Sequence, residues 1–502
     1  MKKAAGIAVG VVVVVGALAT VGAWYTGSQV EGVLQNAVAN ANQQFATSLV
    51  GADGRPMLHL ELVSVDRQLF SSTAHLRLQM HSKEFLGDDQ PAEFLFVDHI
   101  DHGPLPLSRL KSLKLMPVMV SNNVALEPSP SSAAWFAAAG NDSPFKAQLD
   151  VHYGGETSGT LDALPLKGDP ATGGQSFSGL HSNLNVTANG EQYGLTGKMA
   201  DLQLSLVNAQ GVPVQFVVKD FTFNLGGKRG ESGFYLGHND ATLGSLRVQM
   251  QGGLPFELQG MKTTSLAQEV GGALAGEMGY DVASTSLGGT PLGQWRMLFK
   301  FGQFDVQSSK SLYQLLQTKV MPQQRAAAAA GVPFRLQLDD ADQQRMKTDL
   351  SRFLAAKPHM ELQELTLKTA NGEGRVNLSV DLAPAPLSST TVAPAYGPSI
   401  VGAVDAKVVL SKAMLSDLGT TQARLQGATD PAAIARQGTD FSNMVSGLAV
   451  MMQLGKVDGD NVVSELHYAA GMVDFNGQRM TAAKFIGSVL GRVGAVGARP
   501  AP

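Results

Sequence analysis

From Pro56 onward the apolar residues of this chain recur at every second position, and that period commits most of it to β-strands packed on one face. Leu58, Leu60 and Leu62 alternate with His59 and Glu61; Ala74, Leu76, Leu78 and Met80 alternate with His75, Arg77 and Gln79. The pattern returns in Leu202 to Leu206, Phe221 to Leu225, Leu246 to Met250 and Val376 to Leu382. Asn189-Gly190, Asn371-Gly372 and Asn476-Gly477 each lie between such runs, where a two-residue turn needs positive φ at both central positions, so three hairpins are expected. Composition agrees. Glycine supplies 56 of 502 residues, and charged residues are 16% of the chain against about 25% in a typical soluble protein. Both favour extended sheet with many turns over helical bundles.

Helices punctuate the strands. Ser28-Gln29-Val30-Glu31 reads as a capping box, and Val30, Val33, Leu34, Ala37, Val38, Ala41 and Phe45 follow at helical spacing to about Leu49. Further helices are expected at Leu266 to Met278, at Ser309 to Met321 ending at Pro322, and at Asp339 to Ala356, with shorter ones near Lys412 to Leu418, Phe441 to Leu454 and Met480 to Leu490. Ala326 to Ala330 extends a helix or acts as a linker. Asn123 to Asp142, rich in Ala, Ser and Pro, reads as a surface excursion.

The amino terminus carries a second strong constraint. Met1-Lys2-Lys3 precedes an uncharged run from Ala4 to Ala23, and the next charged residue is Glu31. Twenty helical residues rise about 30 Å, the thickness of a bilayer's hydrocarbon core. Lys2 and Lys3 would hold the amino end in the cytoplasm, and Trp24 and Tyr25 would sit at the far interface. Ala17-Leu18-Ala19 also fits a signal-peptide cleavage site, but the apolar run continues to Ala23 and ends in aromatic anchors, which favours a retained anchor. Gly6 and Gly10 form a GxxxG that would let two spans pack as a homodimer, although chance spacing accounts for it among four glycines.

The expected fold class is therefore strand-dominated α+β. An N-terminal transmembrane helix and a juxtamembrane helix precede a large antiparallel β-sheet body with peripheral helices. The expected divisions are an anchor over 1–27, a juxtamembrane helix over 28–50, a β-rich domain over 51–305, a second α+β domain continuing the sheet over 306–492, and a disordered tail over 493–502. At about 150 residues per domain, the length suits this division.

Little in the chain points to chemistry. There is no cysteine, which excludes disulfides, thiolate metal sites and a cysteine nucleophile. A formal charge of -4 with no long basic block argues against nucleic acid. The richest titratable cluster is Asp98-His99-Ile100-Asp101-His102, in which His99, Asp101 and His102 match the tail of the H-x-H-x-D-H zinc signature of metallo-β-lactamase-like hydrolases. The leading ligand is missing, because that position is Val97, and Pro104 and Pro106 prevent the helix that would turn ligands inward. Ser108 with Lys111, and Ser143 with Lys146, match S-x-x-K but lack its companion motifs. No G-x-S-x-G elbow, Walker loop, H-E-x-x-H or G-x-G-x-x-G occurs, and no cofactor is implied.

Three segments resemble one family. Gly22-Ala23-Trp24-Tyr25-Thr26-Gly27 after the apolar run, Ile100-Asp101-His102-Gly103-Pro104-Leu105-Pro106, and Gly471-Met472-Val473-Asp474-Phe475-Asn476-Gly477 look like the YdgA-like family of single-span Gram-negative envelope proteins, a domain family of unknown function. The resemblance implies inner-membrane anchoring and a periplasmic body. It brings no catalytic residues and makes His102 a turn element rather than a ligand. The expected function is thus a non-catalytic scaffold or binding role in the cell envelope, with a lipid or another envelope protein as partner. Segments apolar on both faces, Phe216-Val217-Val218 and Met297-Leu298-Phe299, would be covered on both sides or would line a groove for an amphiphile or hydrophobic peptide. The alternative is a periplasmic metal-dependent hydrolase using His99, Asp101 and His102.

Overall fold

The computed structural model describes residues 30–48, 56–81, 91–103, 105–111, 113–166, 176–207, 212–384 and 400–488. The expected anchor over 4–23 and the expected tail over 493–502 lie outside the described residues, as does Ser28 of the capping box. Among the described residues no helix is long and apolar enough to cross a membrane.

The chain divides into two compact units, Met1–Gly252 with Ser311–Gln344, and Gly253–Lys310 with Arg345–Pro502. The expected domain limit at 305/306 lies five residues before the point where the chain passes from the second unit back to the first.

In the first unit, strands β1 (Leu58–Arg67), β2 (Ser71–Met80), β3 (Ala92–His102), β4 (Val120–Glu127), β5 (Phe145–Val151) and β6 (Thr157–Ala163) pair in chain order, each antiparallel to the last. β6 pairs with β8 (Leu180–Val186), and β8 with β9 (Gln192–Val207), which also takes the two-residue β7 (Ser176–Phe177). β10 (Pro213–Arg229) and β11 (Tyr235–Met250) complete the meander. Helix α1 (Val30–Ser48) lies on this sheet and seals its core. Leu34, Ala37, Ala41 and Phe45 are buried, as their spacing requires, and Leu34, Ala41 and Phe45 share a core with Leu60, Leu76, Leu78, Phe94 and Phe96. The direction of α1 is set at two points: Glu31 pairs with Arg67 at 3.3 Å, and Asn42 exchanges two 2.8 Å hydrogen bonds with the backbone of Leu60. α1 therefore starts beside the β1–β2 turn and runs antiparallel to β1.

Two short helices interrupt this meander, α2 (Leu107–Lys111) and α3 (Ala133–Ala138). The expected surface excursion over Asn123 to Asp142 is corrected. Its first part is the interior strand β4, with Val124 and Leu126 buried, and Phe136 of α3 joins the same core. Ser129 and Ser132 satisfy one another and the neighbouring backbone, which lets a Ser-rich segment sit inside.

The second unit repeats the plan. β12 (Phe256–Val270), β13 (Ala273–Leu287), β14 (Thr290–Asp305), β15 (His359–Lys368), β16 (Glu373–Leu382), β17 (Val401–Ser411), β19 (Asn461–Ala469), β20 (Met472–Phe475) and β21 (Gln478–Thr481) pair successively and antiparallel, while β18 (Lys456–Asp458) pairs with β19. The helix expected at Leu266 to Met278 is instead the β12–β13 hairpin. Gly271 and Gly272 adopt φ of +59° and +80°, the two-residue turn that only such residues make cheaply, and Val270 faces Ala273 across it.

Between β14 and β15 run α4 (Val306–Leu315), a π turn (Leu316–Val320), α5 (Met321–Ala330) and α6 (Asp340–Ala355). Pro322 does not end the helix. The π turn just before it loosens the ladder where proline lacks a donor, so the helix continues through the alanine run to Gly331. After β17 come α7 (Lys412–Leu425) and α8 (Pro431–Met451), both longer than their expected cores. Ser411 accepts from the amide of Met414, and Asp430 accepts from those of Ala432 and Ala433.

Candidate functional site

Strand alternation decides the fate of the 98–102 cluster. On β3, Asp98 and Ile100 point with Phe94 and Phe96 into the core, whereas His99 is exposed on the other face, 3.3 Å from Thr73 Oγ1. Asp101 accepts from the backbone amide and hydroxyl of Ser108. His102 Nε2 lies 2.9 Å from Ser72 Oγ, a buried residue of the core face, and burial pushes its imidazole below the usual range, against the opposing pull of Asp101. His99 and His102 thus serve opposite faces and do not converge on one ion. Among the described residues no group of three or more His, Cys, Asp and Glu is placed to hold a metal. The S-x-x-K serines are also committed to structure: Ser108 to Asp101, and Ser143 to the carbonyls of Leu126 and Phe145, each at 2.8 Å.

Two buried polar groups underlie the cluster. Asp98 accepts from Asn122 Nδ2 at 3.1 Å, and burial raises its carboxyl to about 7, against a lowering hydrogen bond from the Asn123 backbone. Arg109 of α2 forms a buried ion pair with Asp150, which also accepts from Ser121 at 2.7 Å, and Arg109 Nη2 donates to the carbonyl of Met116 at 3.0 Å. These contacts pin the loop after β3 to the sheet.

A different feature stands out in the second unit. Met278, Phe299, Leu362, Leu378, Ala406 and Leu466 oppose one another in register across β13, β14, β15, β16, β17 and β19. Tyr280, Met297, Leu365, Val376 and Val408 form a parallel row on one side of it; Phe301, Met360, Val380, Val404 and Tyr468 form one on the other. Among the described residues, helices pack at the margins of this face. Met414 and Leu415 of α7 pack on Leu367, Leu410 and Val462, and Phe353 of α6 stacks on Phe304 beside Phe301. In the middle row Met278 keeps 39% and Leu378 keeps 37% of its surface exposed. Among the described residues this apolar face is left partly open, where a closed core would bury nearly everything.

The reverse of the same strands is polar. Glu361, Ser379, Asp405, His467 and Asp474 align there around a shallow cavity of about 580 Å³. Its charges answer one another: Lys407 with Glu465 at 2.7 Å, Lys456 with Glu465 at 3.4 Å, and His467 with Asp405 at 2.6 Å. The segments read as apolar on both faces are therefore one-sided. Val217 alone of its triplet faces Gln203 and Arg247, and Leu298 alone of its triplet faces Glu364.

What these elements define is an antiparallel meander protein with an open apolar face and, among the described residues, no assembled metal centre. A family model described as "Bacterial protein of unknown function (DUF945)" matches residues 1–483, and the chain belongs to that family. It is similar to Protein YdgA of Escherichia coli K12, 26% identical over 495 residues that cover 96% of this chain and 95% of that protein. It is also similar to the uncharacterized protein YihF of the same organism, 23% identical over 497 residues, 97% of this chain and 98% of that one. No solved structure matches.

Proposed function

We propose that this is a non-catalytic protein of the bacterial cell envelope whose open apolar sheet face holds an amphiphile or a hydrophobic peptide. Residues 4–23 anchor it in the inner membrane with the amino end in the cytoplasm, and the remaining chain lies in the periplasm. One observation carries the binding reading: the in-register row from Met278 to Leu466, in which Met278 and Leu378 keep 39% and 37% of their surface exposed while helices pack at its margins. Six strands at about 4.8 Å spacing make a row about 24 Å long, comparable to an extended long acyl chain. Burying such a chain would recover about 25 cal/mol for each Å² of apolar surface removed from water.

The full-length protein, purified in detergent, should release lipid or apolar peptide on solvent extraction in amounts above those from its Leu378→Asp variant. Both proteins carry the same amino-terminal segment, so lipid held there cancels. Equal yields would count against the groove. A carboxyl-terminal reporter active only in the periplasm checks the topology, and a cytoplasmic signal would remove the envelope assignment.

A further inference from the structure

One end of the first unit is covered with exposed apolar side chains. Leu69 and Phe70, in the β1–β2 turn, are 86% and 72% exposed; Leu113 and Met116, in the loop after α2, are 84% and 74% exposed. Leu105 and Leu115 are exposed beside them. The two segments adjoin, since the amide of His102 donates to the carbonyl of Phe70 at 2.8 Å and that of Gly103 to the carbonyl of Met119 at 3.2 Å. The base of the loop is held by the buried Arg109–Asp150 pair and by Arg109 on the Met116 carbonyl. Large apolar residues on a pinned loop are costly in water and mark a contact surface.

The first turn of α1 lies at this same end, because Glu31 pairs there with Arg67, next to the turn. Ala23, the last residue of the apolar run, precedes Val30 by seven residues, which span at most about 25 Å when fully extended. Whatever holds residues 4–23 is therefore held close to this end. The exposed charges nearby are mixed, with Arg67 and Lys114 against Glu31, Asp66 and Glu156, so apolar area and not net charge would drive the contact.

We propose that this end of the first unit inserts its apolar loops into the outer interface of the same bilayer that residues 4–23 span. The proposal rests on the anchor reading given above. It makes the first unit a foot seated on the lipid surface.

Because the chain has no cysteine, a single introduced one gives a unique label. An environment-sensitive fluorophore would be placed in the full chain at Met116→Cys or Leu69→Cys. Val13→Cys reports the anchor, and Asp142→Cys, beyond α3 at the opposite end of the same strands, is the control. Each is reconstituted into vesicles of phosphatidylethanolamine and phosphatidylglycerol. Labels at 116 and 69 should shift to the blue and be quenched several-fold more strongly by lipid-borne quenchers than the label at 142, which aqueous iodide should quench. In a Leu113→Asp/Met116→Asp background, the label at 69 should lose its lipid quenching while the label at 13 keeps it.

If the label at 13 is lipid-quenched but those at 116 and 69 behave like 142, the seated foot is wrong and the anchor stands. A water-exposed label at 13 would remove the anchor and this proposal with it. A blue shift at 116 with no quenching from either side would assign the patch to a second copy of the chain and overturn the lipid contact.

Discussion

Asp98 occupies a position on β3 where its neighbours on the same face are Phe94, Phe96 and Ile100. It is held by Asn122 Nδ2 and by the Asn123 backbone, while Asn122 Oδ1 is buried without a partner. Burial lifts the carboxyl to about 7, so the folded protein keeps a proton there that the unfolded chain gives up near 4. The sign follows from proton linkage: stability from this group is complete below about pH 4 and is lost as pH rises to about 7, by at most about 1.4 kcal/mol per pH unit. Asp98→Asn keeps the neutral shape and gives Asn122 Oδ1 a donor. Its urea midpoint should therefore stay flatter than the parent's between about pH 4 and 7, and exceed it above pH 7. Parallel profiles for the two proteins would mean that Asp98 is already ionised in the native state.

At the level of elements, period two marked the strands well: Leu58–Leu62 and Ala74–Met80 bury their apolar side as expected, while Val376–Leu382 forms a strand whose apolar residues stay partly exposed, Leu378 at 37%. The misreadings have physical causes. Leu266 to Met278 has the composition of a helix, and only Gly271-Gly272 betrays the hairpin, a stronger local signal than the spacing of leucines around it. Of the three Asn-Gly pairs, Asn476-Gly477 alone makes a two-residue turn, between Phe475 and Gln478. Asn371-Gly372 belongs to a four-residue loop governed by a remote residue, Asp417 of α7, which accepts from Thr369 Oγ1 at 2.6 Å and from the amide and side chain of Asn371 at 2.8 Å each. No local rule can see that partner. The open apolar face was half legible: alternation shows which residues share a side of one strand, but register, which aligns Leu362, Leu378 and Ala406, comes only from the fold. Strand kinks hid more of it. In β10, Asp220 takes a φ of +54° and is skipped in the pairing, so the apolar parity changes from Phe216 and Val218 to Phe221 and Phe223 without changing side. Gly244 on the adjacent strand is needed there, since a Cβ would meet that of Asp220 at 2.8 Å. The carboxylate of Asp417 also makes the Asn371-Gly372 loop sensitive to pH. Burial tends to raise its carboxyl, but the bonds from Thr369 and Asn371 outweigh that and hold it below the usual range, so its contribution is present at neutral pH and lost in acid. Asp417→Ala should cost about 1 to 2 kcal/mol near pH 7, discounted for partial exposure, and progressively less below about pH 4. Urea titrations across that range check it, and a cost independent of pH would mean that packing of α7 and not the carboxylate holds the loop.

For the whole chain, the division into units decides where it can be cut. The first unit takes 1–252 and 311–344, so the chain passes between units after Gly252, after Lys310 and after Gln344. Yet the residues of the first unit's main core all lie between Leu34 and Leu184. The returning segment adds margin contacts, such as Tyr313 edge-on to Phe234 with ring centres 6.0 Å apart, and the buried Leu315. A fragment ending at Gly252 should therefore fold, because the apolar burial that offsets its chain entropy is already complete. Losing the contacts of 311–344 should lower its melting midpoint by several degrees without broadening the transition. Trp135 is the reporter, since it packs against this core and the fragment's one other tryptophan is Trp24. In a Trp24→Phe background, Trp135 should emit as a shielded indole and shift cooperatively on heating. Emission of an exposed indole at all temperatures would show that 311–344 is part of the folding unit, and that the first core cannot form until the chain has returned to it.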